Sequence, residues 1–356
     1  NGGSINVTTS NFSLSDWQYF EAIGTQAGGN IAITADSIDL AGGLVATGAT
    51  GGTVTTTTTG SLFAGATAYI NAGTWLVHAP SISIVSAIDA GPGIGAVLTD
   101  AALSSTLDGG TAIQIFADAA LSSGASGSIY IGDGVSIVHA SGDDAALDMS
   151  ATGGIYGSSF SIESTGGALD LSFIANVYGD DPTNGFVSFH DIVLASNGGS
   201  INLEGNGSGV YVEVGDVSSA GGDITITGSG ESAGVYVLLT SISSGDGDIA
   251  IDGSASLVQD LAYPFGVALA GSSLASTGGD ISVVGDAAGG NGVQFWSVYD
   301  SVTGTDIYSS ITTGSGAITV DSTGLRGPGL DGIDLVTDSG DIPVAGTALD
   351  AYAPAA

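Results

Sequence analysis

The 356-residue chain contains no cysteine and a single basic side chain of the Lys/Arg class, Arg326. The absence of cysteine excludes disulfides, thiolate catalysis and thiolate metal sites. The absence of lysine excludes lysine-directed covalent chemistry. One cation cannot grip nucleic acid or an anionic membrane, so neither is an expected partner. No run of about 18 apolar residues occurs, which argues against a membrane-inserted helix. Proline is scarce, at 7 residues, and so are the good helix formers Lys, Arg, Glu and Gln. Val, Ile and Thr are abundant, so strand is favoured over helix.

What is present is acid and glycine. There are 36 Asp and Glu residues, giving a formal net charge of −35, and 61 glycines. Such a surface attracts divalent cations and cationic partners, and its self-repulsion calls for salty or calcium-containing surroundings. Hydrophobic residues reach 43% with a mean hydropathy of +0.42, which excludes a disordered polar chain.

The glycines recur in a phrase. Gly2-Gly3-Ser4-Ile5, Gly28-Gly29-Asn30-Ile31, Gly198-Gly199-Ser200-Ile201, Gly221-Gly222-Asp223-Ile224, Gly278-Gly279-Asp280-Ile281 and Gly340-Asp341-Ile342 share it, with looser forms at Gly247-Asp248-Ile249 and Gly316-Ala317-Ile318. Ile201 to Ile224 is 23 positions and Ile224 to Ile249 is 25. Ile249 to Ile281 and Ile281 to Ile318 are longer, at 32 and 37, so insertions occur between strands. A second phrase follows in each unit, as in Gly209-Val210-Tyr211-Val212 and Gly234-Val235-Tyr236-Val237. A third apolar piece leads back to the glycines. The repeating unit is strand, turn, strand, turn, short strand, turn.

One such unit cannot bury a core alone. Ile224 and Ile226 alternate with Asp223, Thr225 and Thr227, which leaves one apolar and one polar edge. Stacked coils solve this. The predicted fold is all-β, a right-handed parallel β-helix (β-solenoid) of roughly 14 coils, about 65 Å long at about 4.8 Å per coil. Ile201, Ile224, Ile249 and Ile281 should form an inward ladder. Glycines should mark the corners, because they enter left-handed turns without steric cost. The repeat predicts a single continuous solenoid over 1–356. Residues 87–191 are less regular and read as longer excursions or an inserted subdomain. The chain opens at Asn1 inside a repeat phrase, which reads as a processed piece of something longer.

Phrases such as Gly222-Asp223-Ile224-Thr225-Ile226-Thr227-Gly228 and Ser276-Thr277-Gly278-Gly279-Asp280-Ile281 resemble the repeats of filamentous-haemagglutinin-like bacterial surface adhesins. Those are secreted β-helices of the two-partner secretion and autotransporter kind. The resemblance is best from about Gly198 to Asp341. It implies export, an extracellular or cell-surface location, and a role in adhesion or fibre and biofilm-matrix building. The near absence of basic residues departs from that pattern and argues against heparin-like ligands.

Candidate chemistry is sparse. Asp246 and Asp248 alternate in Ser244-Gly245-Asp246-Gly247-Asp248, a spacing that suits a hard cation such as calcium. The pairs Asp143 with Asp144 and Asp180 with Asp181 are further cation candidates. The bland alternative is turn chemistry, since Asp caps turns with its own side chain. The same pairs carry the second functional reading, a polysaccharide hydrolase on a β-helix with one carboxyl as acid and one as base. That chemistry also wants a nearby His and a basic clamp, and the three His residues lie apart at His78, His139 and His190. The preferred reading is therefore not an enzyme, with no cofactor required. Tyr211 and Tyr236 hold the same place in consecutive units and should stack outward, with Trp296 beside them. Exposed aromatics in a row can bind carbohydrate or a host or cell-surface protein. A solenoid without cap helices should also meet further coils at its ends, as a homo-oligomer or filament.

Overall fold

The computed structural model describes residues 2–86, 95–179, 185–256, 264–326, 329–330 and 333–348. The fold is an all-β parallel β-helix, and its residues fall into two compact units, Asn1–Phe173 and Ile174–Ala356.

In the second unit each coil contributes three strand segments. The first face stacks Ile201–Asn206 on Ile224–Gly230, then Ile249–Ala255, then the start of Ile281–Trp296, then Ile318–Arg326. The register is unbroken: Ile201 pairs with Ile224, Ile224 with Ile249, Ile249 with Ile281 and Ile281 with Ile318. All five are buried, so the predicted isoleucine ladder exists. The second face stacks Val187, Val210, Val235, Val267 and Val293, and the third stacks Leu194, Val217, Ile242, Leu274 and Ile311 among its buried residues. The long interval between Ile281 and Ile318 contains an antiparallel hairpin of Val298–Asp300 with Thr305–Ile307.

The glycines do more than make the expected left-handed turns. The first glycine of the phrase is left-handed at Gly198 and Gly221. The second is not: Gly222, Gly247, Gly279, Gly316 and Gly340 have ordinary φ. A Cβ on any of them would collide with the carbonyl of the equivalent glycine one coil earlier, Gly199, Gly222, Gly247, Gly279 and Gly316 respectively. They are glycine because backbone passes backbone there. A second such column lies where the first two faces meet. Gly228 abuts the Gly234 carbonyl, Gly253 that of Gly266 and Gly285 that of Gly292.

Three residues before each stacked glycine stands a hydroxyl, buried in every coil but that of Thr337. Ser196 donates to the Gly199 carbonyl at 2.5 Å, Ser219 to that of Gly222, and Ser244 to that of Gly247 at 2.5 Å. Thr313 donates to the Gly279 carbonyl at 3.0 Å and accepts from Gly316 N–H at 3.2 Å. These hydroxyls satisfy turn groups that no strand ladder reaches. The outer Asp of the phrase ties coils together. Asp248 N–H donates to the Asp223 carboxylate at 2.9 Å, Asp280 N–H to Asp248 at 2.7 Å and Ala317 N–H to Asp280 at 2.7 Å.

The opposite corner is strained. Asp191, Val214 and Leu239 hold φ of 56°, 55° and 47°, with Gly271 at 55° in the next coil. A left-handed β-branched residue such as Val214 is a steric outlier.

The first unit keeps one long register through varied side chains. Ile5, Ile31, Val54, Trp75, Ile113 and Leu147 pair in sequence down one column. The run Thr53 to Thr59 lies in the strand Thr53–Ala64 and alternates, so Thr56 and Thr58 face inward and are buried. Their hydroxyls are satisfied: Trp75 Nε1 donates to Thr56 Oγ1 at 3.2 Å, and Thr58 donates to the Asp36 carbonyl at 3.0 Å. Part of the irregular stretch after residue 87 is a helix, Asp100–Asp108, capped by the Thr99 hydroxyl accepting from Ala102 N–H. It buries Ala102, Leu103 and Leu107. The strand column resumes after it at Ala112–Ala117 and Ala145–Ala151, so this helix is an excursion from the coils.

Candidate functional site

The outward positions of the second face in the second unit gather aromatic rings. Tyr211 pairs in register with Tyr236, as their matched places in the repeat predict. Their ring centroids are 6.2 Å apart. Tyr236 lies 6.1 Å from both Phe265 and Trp296, and Phe265 meets Trp296 edge-on at 5.8 Å and 76°. All four side chains are half-buried. Such edge-on and tilted pairs hold rings in fixed orientation.

The backbone explains why the rings converge. Ala268 pairs with Tyr236 on one side and Gln294 on the other, and Ala270 with Leu238 and Trp296. These alanines occupy outward positions, yet both are fully buried. Small side chains leave room for the larger neighbours to lean across them. The Tyr236 hydroxyl pKa is raised, first by burial and then by the nearby Glu213 carboxylate, so the ring stays neutral.

Beside the rings is a cavity of about 170 Å³ lined by Pro264, Phe265, Asn291, Gln294 and Trp296. Asn291 Nδ2 donates to Gln294 Oε1, and Gln294 Nε2 donates to the Phe265-flanking strand at the Phe295 carbonyl, 2.9 Å away. Asn291 Oδ1 is buried with no hydrogen-bond partner. Phe265 and the two amides are members of this ledge that the repeat did not single out. Phe265 stands at a corner and breaks the Tyr211–Tyr236 spacing, so only its aromatic character marked it.

The acidic candidates are dispersed. Asp246 and Asp248 are exposed, and each is engaged separately, Asp246 by the Thr277 hydroxyl at 2.5 Å and Asp248 by Asp280 N–H. Asp144 accepts from Ala168 N–H at 2.9 Å. The Asp143 backbone carbonyl lies 3.0 Å from Nε2 of His139, which is itself fully buried. These are the bonds of turns. Asp180 and Asp181 lie outside the described residues. Among the described residues no three His, Cys, Asp or Glu side chains are gathered to hold a metal.

A different carboxylate departs from ordinary behaviour. The Asp148 pKa is raised by burial and by the nearby Asp170 charge, and Gln114 opposes this with a hydrogen bond. Nothing in the spacing of the acidic pairs pointed to it, because Asp148 and Asp170 sit in separate strands.

The first unit carries exposed aromatics of its own. In its small parallel sheet Tyr19 pairs with Gly43 and Gly43 with Tyr69, each one coil apart. Trp17, in a left-handed conformation at φ 67°, is 89% exposed beside Tyr19 in sequence.

The chain matches no protein-family model, and a search of curated proteins returns no match. The reading of function therefore rests on the residues themselves.

Proposed function

We propose that the chain is an extracellular structural and adhesive β-solenoid, a segment of a cell-surface adhesin or a subunit of an extracellular filament. The observation that carries this is the division of labour in the coils. Inward apolar ladders, stacked glycines, buried hydroxyls and outer Asp ties all serve stacking, and the aromatic ledge of Tyr211, Tyr236, Phe265 and Trp296 is left over for contact. Aromatic clusters on a polar surface are favoured anchors for a partner. The resemblance of the repeats to haemagglutinin-like adhesins supports the same reading, as does an acidic surface suited to salty exteriors. Calcium would act here as a counterion to the net charge of −35.

The strand Ser4–Leu14 pairs with Asn30–Leu40 as its one partner among the described strands, so its other edge offers free backbone groups to a further coil. A further coil, from another copy or from more of the same chain, fits that edge. Electron microscopy and sedimentation at high protein concentration, with and without calcium, test it. Concentration-dependent elongated oligomers are expected. Particles that stay strictly monomeric in both conditions would remove the filament from the proposal.

The hydrolase reading keeps one supporting observation, the raised pKa of Asp148 near Asp170. A raised carboxyl pKa is what a general acid needs. Reducing-end release from acidic and neutral polysaccharides, lost in Asp148→Asn, would establish it.

A further inference from the structure

We propose that the cavity between Phe265 and Trp296 is a subsite for one neutral sugar ring of a polysaccharide. This rests on the adhesive reading and names its ligand. Three features of the cavity lead to it. First, the Phe265 and Trp296 rings stand at 76° to one another, 5.8 Å apart. They form an angle instead of a closed stack, which leaves ring surface for the C–H face of a pyranose.

Second, the remaining walls are amides, Asn291 and Gln294, and both Asn291 and Gln294 already fix each other through a hydrogen bond. Asn291 Oδ1 stays buried without a donor. A buried acceptor left unpaired is destabilising, and a sugar hydroxyl is a donor of the right reach. An apolar peptide side chain would fill the space but leave that oxygen unpaired.

Third, the described residues that line the cavity are apolar or amides, and the chain carries a net charge of −35. A uronate or sulfated sugar would be repelled, whereas a neutral sugar meets no such barrier. The volume of about 170 Å³ is on the scale of one ring with its hydroxyls. Tyr236 and Tyr211 continue the aromatic line at spacings of 6.1 and 6.2 Å, onto the two preceding strands of the face, so a linear glycan can run on from the subsite.

The test is calorimetric titration of the intact chain with neutral hexasaccharides and with oligogalacturonate. The neutral set comprises β-1,4-linked glucose, β-1,4-linked N-acetylglucosamine and α-linked mannose. Saturable binding of at least one neutral oligomer is expected, with oligogalacturonate weaker. Asn291→Leu and Trp296→Ala should each weaken it about ten-fold or more. Circular dichroism checks the fold, and if Trp296→Ala unfolds, the milder Trp296→Phe and Asn291→Leu decide. No binding of any neutral oligomer at millimolar concentration, or binding that survives these variants, overturns the subsite. So does tighter binding of oligogalacturonate. A chain that still assembles end to end and adheres to cells, with the ledge variants behaving as wild type, would lose this subsite and keep the adhesive reading.

Discussion

The two units build the same kind of coil from different material. The second repeats one isoleucine from Ile201 to Ile318 in its core column, and repeats stacked glycines and buried hydroxyls beside it. The first fills its column with Ile5, Ile31, Val54, Trp75, Ile113 and Leu147, and puts Thr56 and Thr58 inside. Its glycine contacts start in the same way, with Gly29 against the Gly3 carbonyl and Gly52 against that of Gly29. They loosen at Gly73, where a Cβ would sit 3.2 Å from the Gly52 oxygen. Parallel stacking thus tolerates either repetition or side-chain complementarity. The two solutions should fail differently.

The largest expected effect is in the first unit. Trp75→Ala empties a fully buried indole and strips Thr56 of its donor, and should cost about 4 kcal/mol in chemical denaturation. A loss under about 1 kcal/mol would show that the column can collapse around the gap.

Next is the stacked glycine of the second unit. Gly247→Ala places a Cβ 2.6 Å from the Gly222 carbonyl carbon, where backbone must move, and should cost about 3 kcal/mol. The contrast is Gly110→Ala in the first unit, which is left-handed but has open space around it and should cost about 1 kcal/mol. Equal costs would mean that the coils can separate enough at Gly247 to admit a methyl group.

The repeat itself was legible because the second unit reuses residues at matched positions. Ile224 and Ile249, or Tyr211 and Tyr236, announce their pairing by spacing alone. The reason for the glycines was not legible, since a left-handed turn and a close backbone approach both select glycine. Nor was the hydroxyl ladder read, although its signal is present: Ser196, Ser219, Ser244, Ser276, Thr313 and Thr337 each stand three residues before the stacked glycine. In the first unit Trp75 and Thr56 satisfy one another across coils, and such complementarity leaves no periodic trace. The ledge was half visible. Tyr211, Tyr236 and Trp296 show as outward aromatics, while Phe265, Asn291 and Gln294 join them only when coils of unequal length stack.

Ser244→Ala tests the ladder at a smaller scale. It removes the hydroxyl bonded to the Gly247 carbonyl at 2.5 Å and should cost about 1–2 kcal/mol. Ser244→Thr should cost less than about 1 kcal/mol, because threonine fills the matching place at Thr313 and Thr337, where its hydroxyl donates to the glycine carbonyl of the preceding coil. Val214→Asn should do the reverse and stabilise by about 1 kcal/mol, since Asn tolerates the 55° φ that Val resists. Thermal denaturation of each variant reads both signs.

The smallest effects concern pH, and here the units oppose one another. Burial raises the Asp148 pKa in the first unit, so its contribution to stability is present at low pH and is lost as pH rises through the folded value. In the second unit the Thr303 hydroxyl and the Val302 N–H lower the Asp300 pKa, so its contribution is present above the ordinary carboxylate range and is lost as pH falls. Asp148→Asn should therefore flatten the loss of stability on the rising side, and Asp300→Asn the loss on the acidic side. Denaturation midpoints across pH 2 to 7, on the order of the carboxylate range, separate the two.

That the chain works by contact through its outer aromatics is tested most directly by retention on a polysaccharide-coated surface, with sugar-end release read in the same sample. The wild-type chain should be retained without releasing ends, and the double variant Tyr236→Ser with Trp296→Ser should lose about ten-fold or more of that retention while keeping its strand signature. Release of reducing ends that disappears in Asp148→Asn, with retention indifferent to the aromatic variant, would contradict the account.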